Sequence, residues 1–471
     1  MSKIYLDYAA TTPVDPLVRE AMLPYLSEWY GNPSSVHSCG QEARAGIEKA
    51  RKQVAGLINA RPEEIIFTSG GTEADNTALE GIAFAKASSG NHIITSAIEH
   101  HAVLECCHFL ESQGFKVTYL PVDRNGSINP GDVEKAITPE TILISIMLAN
   151  NEVGTIEPIA EIASIAKKHG ILFHTDAVQA MGNIPLDVNT LGVDLLAMSA
   201  HKLYGPKGVG ALYIHQGTKL VPFLHGGSQE KGRRASTENV ASIVGFGKAA
   251  ELAQERMAGE VKRVAALRDR LFESIKAQIN GVRLNGDPLK RLPGNLNISV
   301  EGAAGEAMLL KLDVAGVCVS TGSACNSESQ DPSHVLRALG LSNQEAQNSL
   351  RLTLGKPTTL EEIDATTGIL VKVIGELRAE PLNISKTQGT TQAGAVKFKG
   401  DIIVIFPDVA SSIKGANTLK TAGIENKLVA PPPQMRMGCD LGLEIYSADQ
   451  PRVEKIFSEK SVPVLYFLPI K

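Results

Sequence analysis

Lys202 ends the run DLLAMSAHK (residues 194–202), beside Ser199 and His201 and just ahead of a Gly205-Pro206 turn. Packing explains an amine in that position poorly. A lysine amine that sheds its proton, from a reference pKa of about 10.4, can form a Schiff base with an aldehyde. The competing reading is a solvated loop lysine, and the local sequence alone does not separate the two. Two further constellations do. In ILFHTDAVQA (171–180), Asp176 stands at the end of a strand-like run, where a carboxylate can pair with a pyridinium nitrogen. In SGGTEADN (69–76), a turn at Gly70 and Gly71 lies between a strand and a helix, so backbone N–H groups and a helix N-terminus form a phosphate cradle. An aldehyde anchor, a ring-nitrogen partner and a phosphate site are what pyridoxal 5′-phosphate requires. Rival nucleotide motifs are missing: neither Gly-Lys pair is followed by Ser or Thr, and no G-x-G-x-x-G stands between a strand and a helix.

The cysteines separate by context. Cys325 lies in STGSACNSES (320–329), where small, hydroxylic and Gly residues describe an exposed loop. A thiolate there can attack the sulfur of a bound cysteine and keep it as a persulfide; the alternative is a passive loop thiol. Cys439 follows PPPQMRMG and opens a strand-like run, so it is either a carrier thiol or a buried strand-end cysteine. Cys106 and Cys107 are adjacent on an expected helix, face different ways and read as packed thiols, as does Cys318. Cys39 has no assigned role.

The elements that must position these groups read as α/β. Apolar runs at 64–71, 92–101, 116–123, 141–152, 171–180 and 194–202 end in polar residues, and helical patterns separate most of them. That alternation predicts a mainly parallel sheet with its ligands beyond the strands' carboxyl ends. A long charged helix pattern at 249–277 leads into strand-like LNISVEG and SLRLTLG, a smaller α+β domain ending near 378. Residues 381–396 are compositionally a flexible tether. The remainder reads strand, helix, strand, strand, helix, strand, a ferredoxin-like unit. With 471 residues there is room for two or three domains. A net charge of −5 advertises neither nucleic acid nor an anionic membrane. Six cysteines without a C-x-x-C pair do not make a disulfide framework. No leading segment resembles a secretion signal and the longest apolar run, ILISIMLA, is too short to span a bilayer, so a cytoplasmic protein is expected.

From about residue 5 to 378 the motifs YLDYAATTP, GNPSSVH, TSGGTEADN, EHHAVLE, NNEVGTIEP, HTDAVQA, SAHKLYGPKG, GGSQE…RRASTEN, STGSACNSES and LRLTLG occur in one order. In this the chain resembles the class V, fold-type I pyridoxal-phosphate enzymes, and among them the cysteine desulfurases of the NifS/IscS type. The resemblance implies a large sheet domain at about 15–250, a small domain from 1–14 plus about 251–380, a linker at 381–396 and a carrier-like domain at 397–471. It implies that Lys202 holds the cofactor and shuttles the Cα proton, that Asp176 pairs with the ring nitrogen and that Gln179 bonds the 3′-oxygen. His100 would stack on the ring and assist proton transfers. Gly71, Thr72, Ser199 and His201 would bind the phosphate, with Thr237 reaching across from a second subunit of a homodimer. Asn151 and Arg351 would hold the substrate carboxylate. Cys325 would take the sulfur of L-cysteine, leaving alanine, and pass it to an acceptor protein; a transient Fe–S ligand role for the same thiol is also implied, with no resident metal. The family's usual Arg-Ser-Gly-Thr is here Arg234-Ala235-Ser236-Thr237, which places Ser where Gly is usual. The tail resembles small selenium/sulfur carrier-like domains and marks Cys439 as a relay thiol. Selenocysteine lyase, with L-selenocysteine as substrate, and a carrier or scaffold without turnover are the alternatives. An aminotransferase has no use for the loop thiol.

Overall fold

The computed structural model describes residues 3–321, 332–379, 400–406, 409–429 and 442–469. Cys325, Cys439 and the tether at 381–396 lie outside the described residues. By contacts the chain divides into two units, Met1–Pro381 and Leu382–Lys471.

The first unit begins with β1 (Ile4–Tyr5), α1 (Pro16–Met22), α2 (Pro24–Ser27) and α3 (Ser38–Leu57). Strands and helices then alternate: β2 (Ile65–Thr68), α4 (Gly71–Lys86), β3 (His92–Ser96), α5 (His101–Ser112), β4 (Lys116–Leu120), α6 (Pro130–Ala136) and β5 (Thr141–Ser145). α7 (Ile159–His169), β6 (Leu172–Asp176), α8 (Val188–Leu191), β7 (Leu195–Ser199) and β8 (Gly210–Ile214) complete the series. The strands form one seven-stranded sheet in the order β2-β8-β7-β6-β5-β3-β4. Pairings from β4 across to β7 are parallel, and β8 runs antiparallel to both of its neighbours. β5 and β7 are buried at every position because helices cover both sheet faces, which is why they read as unbroken apolar runs. One face packs Ile144, Phe173 and Leu196 against Val54 of α3; the other packs Ile93, Leu143 and Leu195 against Leu79 of α4.

The apolar run at 141–152 is strand only as far as Ser145. Beyond it the chain turns, and the Asn150 side chain closes that turn by accepting from the N–H groups of Glu152 and Val153 and donating to the Ile98 carbonyl, each at 2.9 Å. Met147 and Leu148 are buried under other elements, so burial without strand geometry prolonged the hydrophobic signal.

α9 (Val240–Gln278) starts well before the expected 249, at an Asn239 cap that accepts from the Ser242 N–H. Its first half, with Ile243 and Phe246, belongs to the core of the large sheet. Its second half, with Leu271 and Ile275, belongs to a second core. That second core lies around an antiparallel sheet of β9 (Val282–Leu284), β10 (Asn295–Val300) and, after α10 (Gly305–Val314), β11 (Val317–Cys318), α11 (His334–Ala338) and α12 (Asn343–Gln347), β12 (Ser349–Thr353). α13 (Leu360–Ala379) covers it, and β1 pairs with β11, which brings Leu6 into the same core.

The second unit has β13 (Ile402–Ile405), α14 (Val409–Thr421), β14 (Lys427–Val429), β15 (Gly442–Ile445), α15 (Gln450–Glu459) and β16 (Tyr466–Pro469). Its sheet order is β14-β15-β13-β16, all antiparallel, the ferredoxin-like arrangement. Val404, Phe406, Leu443 and Phe457 fill its core.

Candidate active site

The carboxyl ends of β3, β5, β6 and β7 share one edge of the large sheet, where ligands of α/β folds sit. Asp176 is the last residue of β6 and Ser199 the last of β7, followed by the single turn Ala200–Lys202. His100 caps the start of α5, its Nδ1 accepting from the Ala102 N–H at 3.1 Å. Gly71 opens α4. Together with Thr72, Asn151, Gln179, His201 and Lys202 these residues line one cavity of about 210 Å³. Size does not single it out, since clefts of about 370 and 400 Å³ lie elsewhere on the unit; its composition does.

Burial sets the electrostatics. The Asp176 carboxyl is pushed up to about 6 by burial, opposed by the Val178 N–H that it accepts at 2.8 Å and by the charge of Lys202. Burial, then Lys202, His101 and His334, push His100 down to about 4, so its ring is neutral at physiological pH. A neutral ring whose Nδ1 accepts carries its proton on Nε2. His201 is likewise lowered to about 4, by burial and then Lys202, and its Nδ1 lies 3.1 Å from Thr11 Oγ1. The Lys202 amine donates to the carbonyls of Ala9 and Ala10 at 2.6 and 2.8 Å, and the Gln179 amide donates to Ala9 at 3.0 Å. The N-terminal segment YLDYAATTP is thus the lip that orients the lysine.

Two expected site residues stand outside this wall. Arg351 on β12 is buried and donates to Asp7 Oδ1 at 3.0 Å and to the Asn151 carbonyl at 3.2 Å, while its Nε has no hydrogen-bond partner. It therefore borders the site through Asn151. Thr237 is exposed. Its neighbour Arg234 grips Glu73, in the first turn of α4, with contacts of 2.8 and 3.2 Å, and Glu73 also accepts from the Ser69 N–H. The loop carrying Thr237 is thereby tied to the Gly turn.

Residues not singled out in the sequence complete the site. Asp75, Met147 and Val178 line the cavity, and Asp7 holds Arg351. A signal for Asp75 was present: it shares a helix face with Ala78, Leu79 and Ile82, all fully buried, and a carboxyl on an apolar stripe needs a reason.

The residues present fit pyridoxal 5′-phosphate. A Cβ on Gly71 would come within 2.7 Å of Val178 Cγ2 and 3.6 Å of Ser199 Cβ, so only Gly leaves that corner of the cradle open. A buried acid, a neutral imidazole and a lysine amine face the same space.

A family model described as "Aminotransferase class-V" matches residues 4–366. A second, described as "Putative Se/S carrier protein-like", matches residues 401–469. A cysteine desulfurase IscS from Dictyoglomus turgidum is 57% identical over 376 residues, covering 80% of this chain and 95% of that protein. Among solved structures, a NifS-like protein superposes with a TM-score of 0.75 at 39% identity, covering 79% of this chain and all of that one. Another, titled "SspA in complex with cysteine", gives 0.68 at 40% identity over 75% of this chain and 99% of its own. With its sheet, cavity and sequence in agreement, the chain belongs to the class-V aminotransferase family, among its cysteine desulfurases.

Proposed function

We infer that the protein is a pyridoxal-phosphate-dependent cysteine desulfurase, converting L-cysteine to L-alanine. The observation that carries this reading is the cavity in which Gly71, His100, Asp176 and Lys202 face one space. When bound, the cofactor supplies an electron sink that lets bonds at the substrate Cα and Cβ break. Lys202 would anchor its aldehyde and would take and return the substrate Cα proton. Asp176 answers the charge of the ring nitrogen, and Gln179 donates to the 3′-oxygen. His100, neutral, would face the ring without adding charge and would move a proton through Nε2. Gly71, Thr72, Ser199 and His201 cradle the phosphate. Asn151 and Arg351 take the substrate carboxylate, Arg351 by exchanging part of its bond to Asp7.

The thiolate of Cys325 attacks the substrate sulfur. An S–S bond forms as the Cβ–S bond breaks, Cβ takes up a proton, and alanine leaves. The persulfide then passes to an acceptor protein, with Cys439 as an intermediate carrier; the Se/S carrier-like match over 401–469 supports this step. That match also favours L-selenocysteine as a second substrate. The working form is a cytoplasmic homodimer in which Thr237 completes the neighbour's phosphate site, and Fe–S assembly is one destination of the sulfur. Among the described residues no helix is long and apolar enough to cross a membrane.

The test is alanine release from L-cysteine by Lys202→Ala. The account expects loss of the cofactor's covalent attachment and of two to three orders of magnitude in turnover, roughly what an essential proton shuttle contributes. Near-normal turnover in that variant removes Lys202 from the mechanism.

A further inference from the structure

Beside the cavity two buried polar atoms face each other. Asp75 Oδ1 on α4 and His174 Nε2 on β6 lie 3.5 Å apart, and neither has a hydrogen-bond partner. Asp75 is 1% exposed and His174 fully buried. The other ring nitrogen of His174, Nδ1, is 2.9 Å from Ser145 Oγ on β5. Asp75 lines the cavity together with Asp176, which is also buried.

The charges that raise Asp75 come from acids. Asp176 ends β6, Glu99 precedes α5, and the Cys106 thiol lies on α5; β5 and β7 contribute no ionisable side chain. His174 is driven down to about 3 by burial and is neutral. The charge of Lys202 opposes the rise at Asp176. Burial, and then the charges of Asp176 and Glu99, hold the Asp75 carboxyl well above the usual carboxylate range. Two carboxylates sharing a dry site cannot both ionise at neutral pH. A proton on Asp75 Oδ1 satisfies both orphaned atoms without adding charge. The carboxyl O–H donates to His174 Nε2, and His174 Nδ1–H donates to Ser145 Oγ.

We propose that Asp75 is the neutral member of a buried acid pair, its proton held toward the His174–Ser145 chain, so that Asp176 alone presents a carboxylate to the ring nitrogen. This rests on reading the cavity as the pyridoxal-phosphate site. Asp75 acts through Asp176 and is a positioning residue. Its value is that the negative charge stays on the oxygen facing the cofactor instead of being shared with a carboxyl to one side.

Infrared difference spectra of the full-length protein at neutral pH, wild type minus variant, test the proposal, each pair recorded with and without cofactor. An un-ionised carboxylic acid gives a carbonyl stretch on the high-frequency side of amide I. Buried Glu99 and Glu157 also contribute to that region, so the expected result is one component of the wild-type band that is lost in Asp75→Asn and kept in Asp176→Asn. In parallel, Asp75→Ala should lower alanine formation at least about tenfold. Asp75→Asn, neutral and of the same shape, should recover most of that loss, whereas Asp176→Asn should lose about a hundredfold, on the usual scale for a tuned acid–base site. A band unchanged in Asp75→Asn, no band at all, or Asp75→Asn as poor as Asp75→Ala would each overturn the neutral assignment. Should Asp75→Ala fail to fold, the infrared comparison of Asp75→Asn with wild type decides alone. The band in cofactor-free protein does not depend on turnover, so its absence is distinguishable from failure of the cofactor reading, which Lys202→Ala tests separately.

Discussion

His100 shows how much one residue's surroundings decide. Its ring is lowered to about 4 by burial and by the charges of Lys202, His101 and His334, and its Nδ1 is committed to the Ala102 N–H. A histidine with a depressed pKa binds its proton only below that value, so the ring stays neutral from about pH 5 upward. The acid limb of alanine formation therefore does not belong to His100. His100→Gln should lower kcat by roughly two orders of magnitude and leave the acid-limb midpoint where it was. A midpoint that moves with this substitution would show that the ring titrates in the working range. Lys202, Asp176 and Ser199 were legible in the sequence because each stands at the polar end of an apolar run. Asp75 gave only the hint of a carboxyl on an apolar helix stripe, and His174 gave none: a single sequence does not say which helix face meets the sheet, nor which of two buried strand faces lies under a cavity.

Two elements carry the proposed phosphate cradle, and each has a conformational requirement. At the start of α4, Gly71 has no room for a side chain, because an added Cβ would press on Val178 Cγ2 at 2.7 Å. Gly71→Ala should weaken cofactor retention at least about tenfold, with the fold intact because the helix position itself accepts Ala. Equilibrium dialysis and circular dichroism read the two effects separately; unchanged retention would place the phosphate elsewhere. Between β8 and α9, Ser236 adopts φ +89°, a region that costs a side-chain-bearing residue on the order of 1 kcal/mol or more. Ser236→Gly removes that strain. The full chain should gain about 1 kcal/mol in denaturant unfolding, and a loss instead would reveal a contact that the Ser hydroxyl makes. The Ser-for-Gly departure was visible in the sequence, whereas its positive φ was not. The elements themselves were legible where periodicity and burial agree, as in α15 (Gln450–Glu459), which falls where its pattern put it. They were misjudged where buried loop mimics strand, after Ser145, and where the first turns of α9 present Val240, Ala241 and Ile243 with too little charge to betray a helix.

Across the whole molecule, buried acids write a pH dependence into stability. Burial raises Glu99 and Glu157 to about 8 and Glu152 to about 7. A raised native pKa means that the folded chain keeps a proton which the unfolded chain has released. The stability from these groups is complete below the ordinary glutamate value and is lost as pH rises through about 7 to 8. The unfolding free energy should fall with a slope near 1.4 kcal/mol per pH unit for each proton released. Glu157, whose Oε2 accepts from the Ile128 N–H while Oε1 is unpartnered, is the cleanest probe. Glu157→Gln should flatten the urea-derived slope between about pH 5 and 8 by about one proton, and an unchanged slope would mean that Glu157 is already ionised in the fold.

In the proposed reaction one site removes sulfur from cysteine and leaves it on Cys325. A brief pulse of isotopically labelled L-cysteine to the cofactor-loaded protein, quenched without reductant, measures this directly by alanine assay and peptide mass spectrometry. The expected result is one alanine per active site in the first turnover, a labelled persulfide on the Cys325 peptide, and a later label on Cys439 that Cys325→Ala abolishes. Alanine formed with Cys325 unmodified, or labelled sulfur on Cys439 in the Cys325→Ala protein, would contradict it.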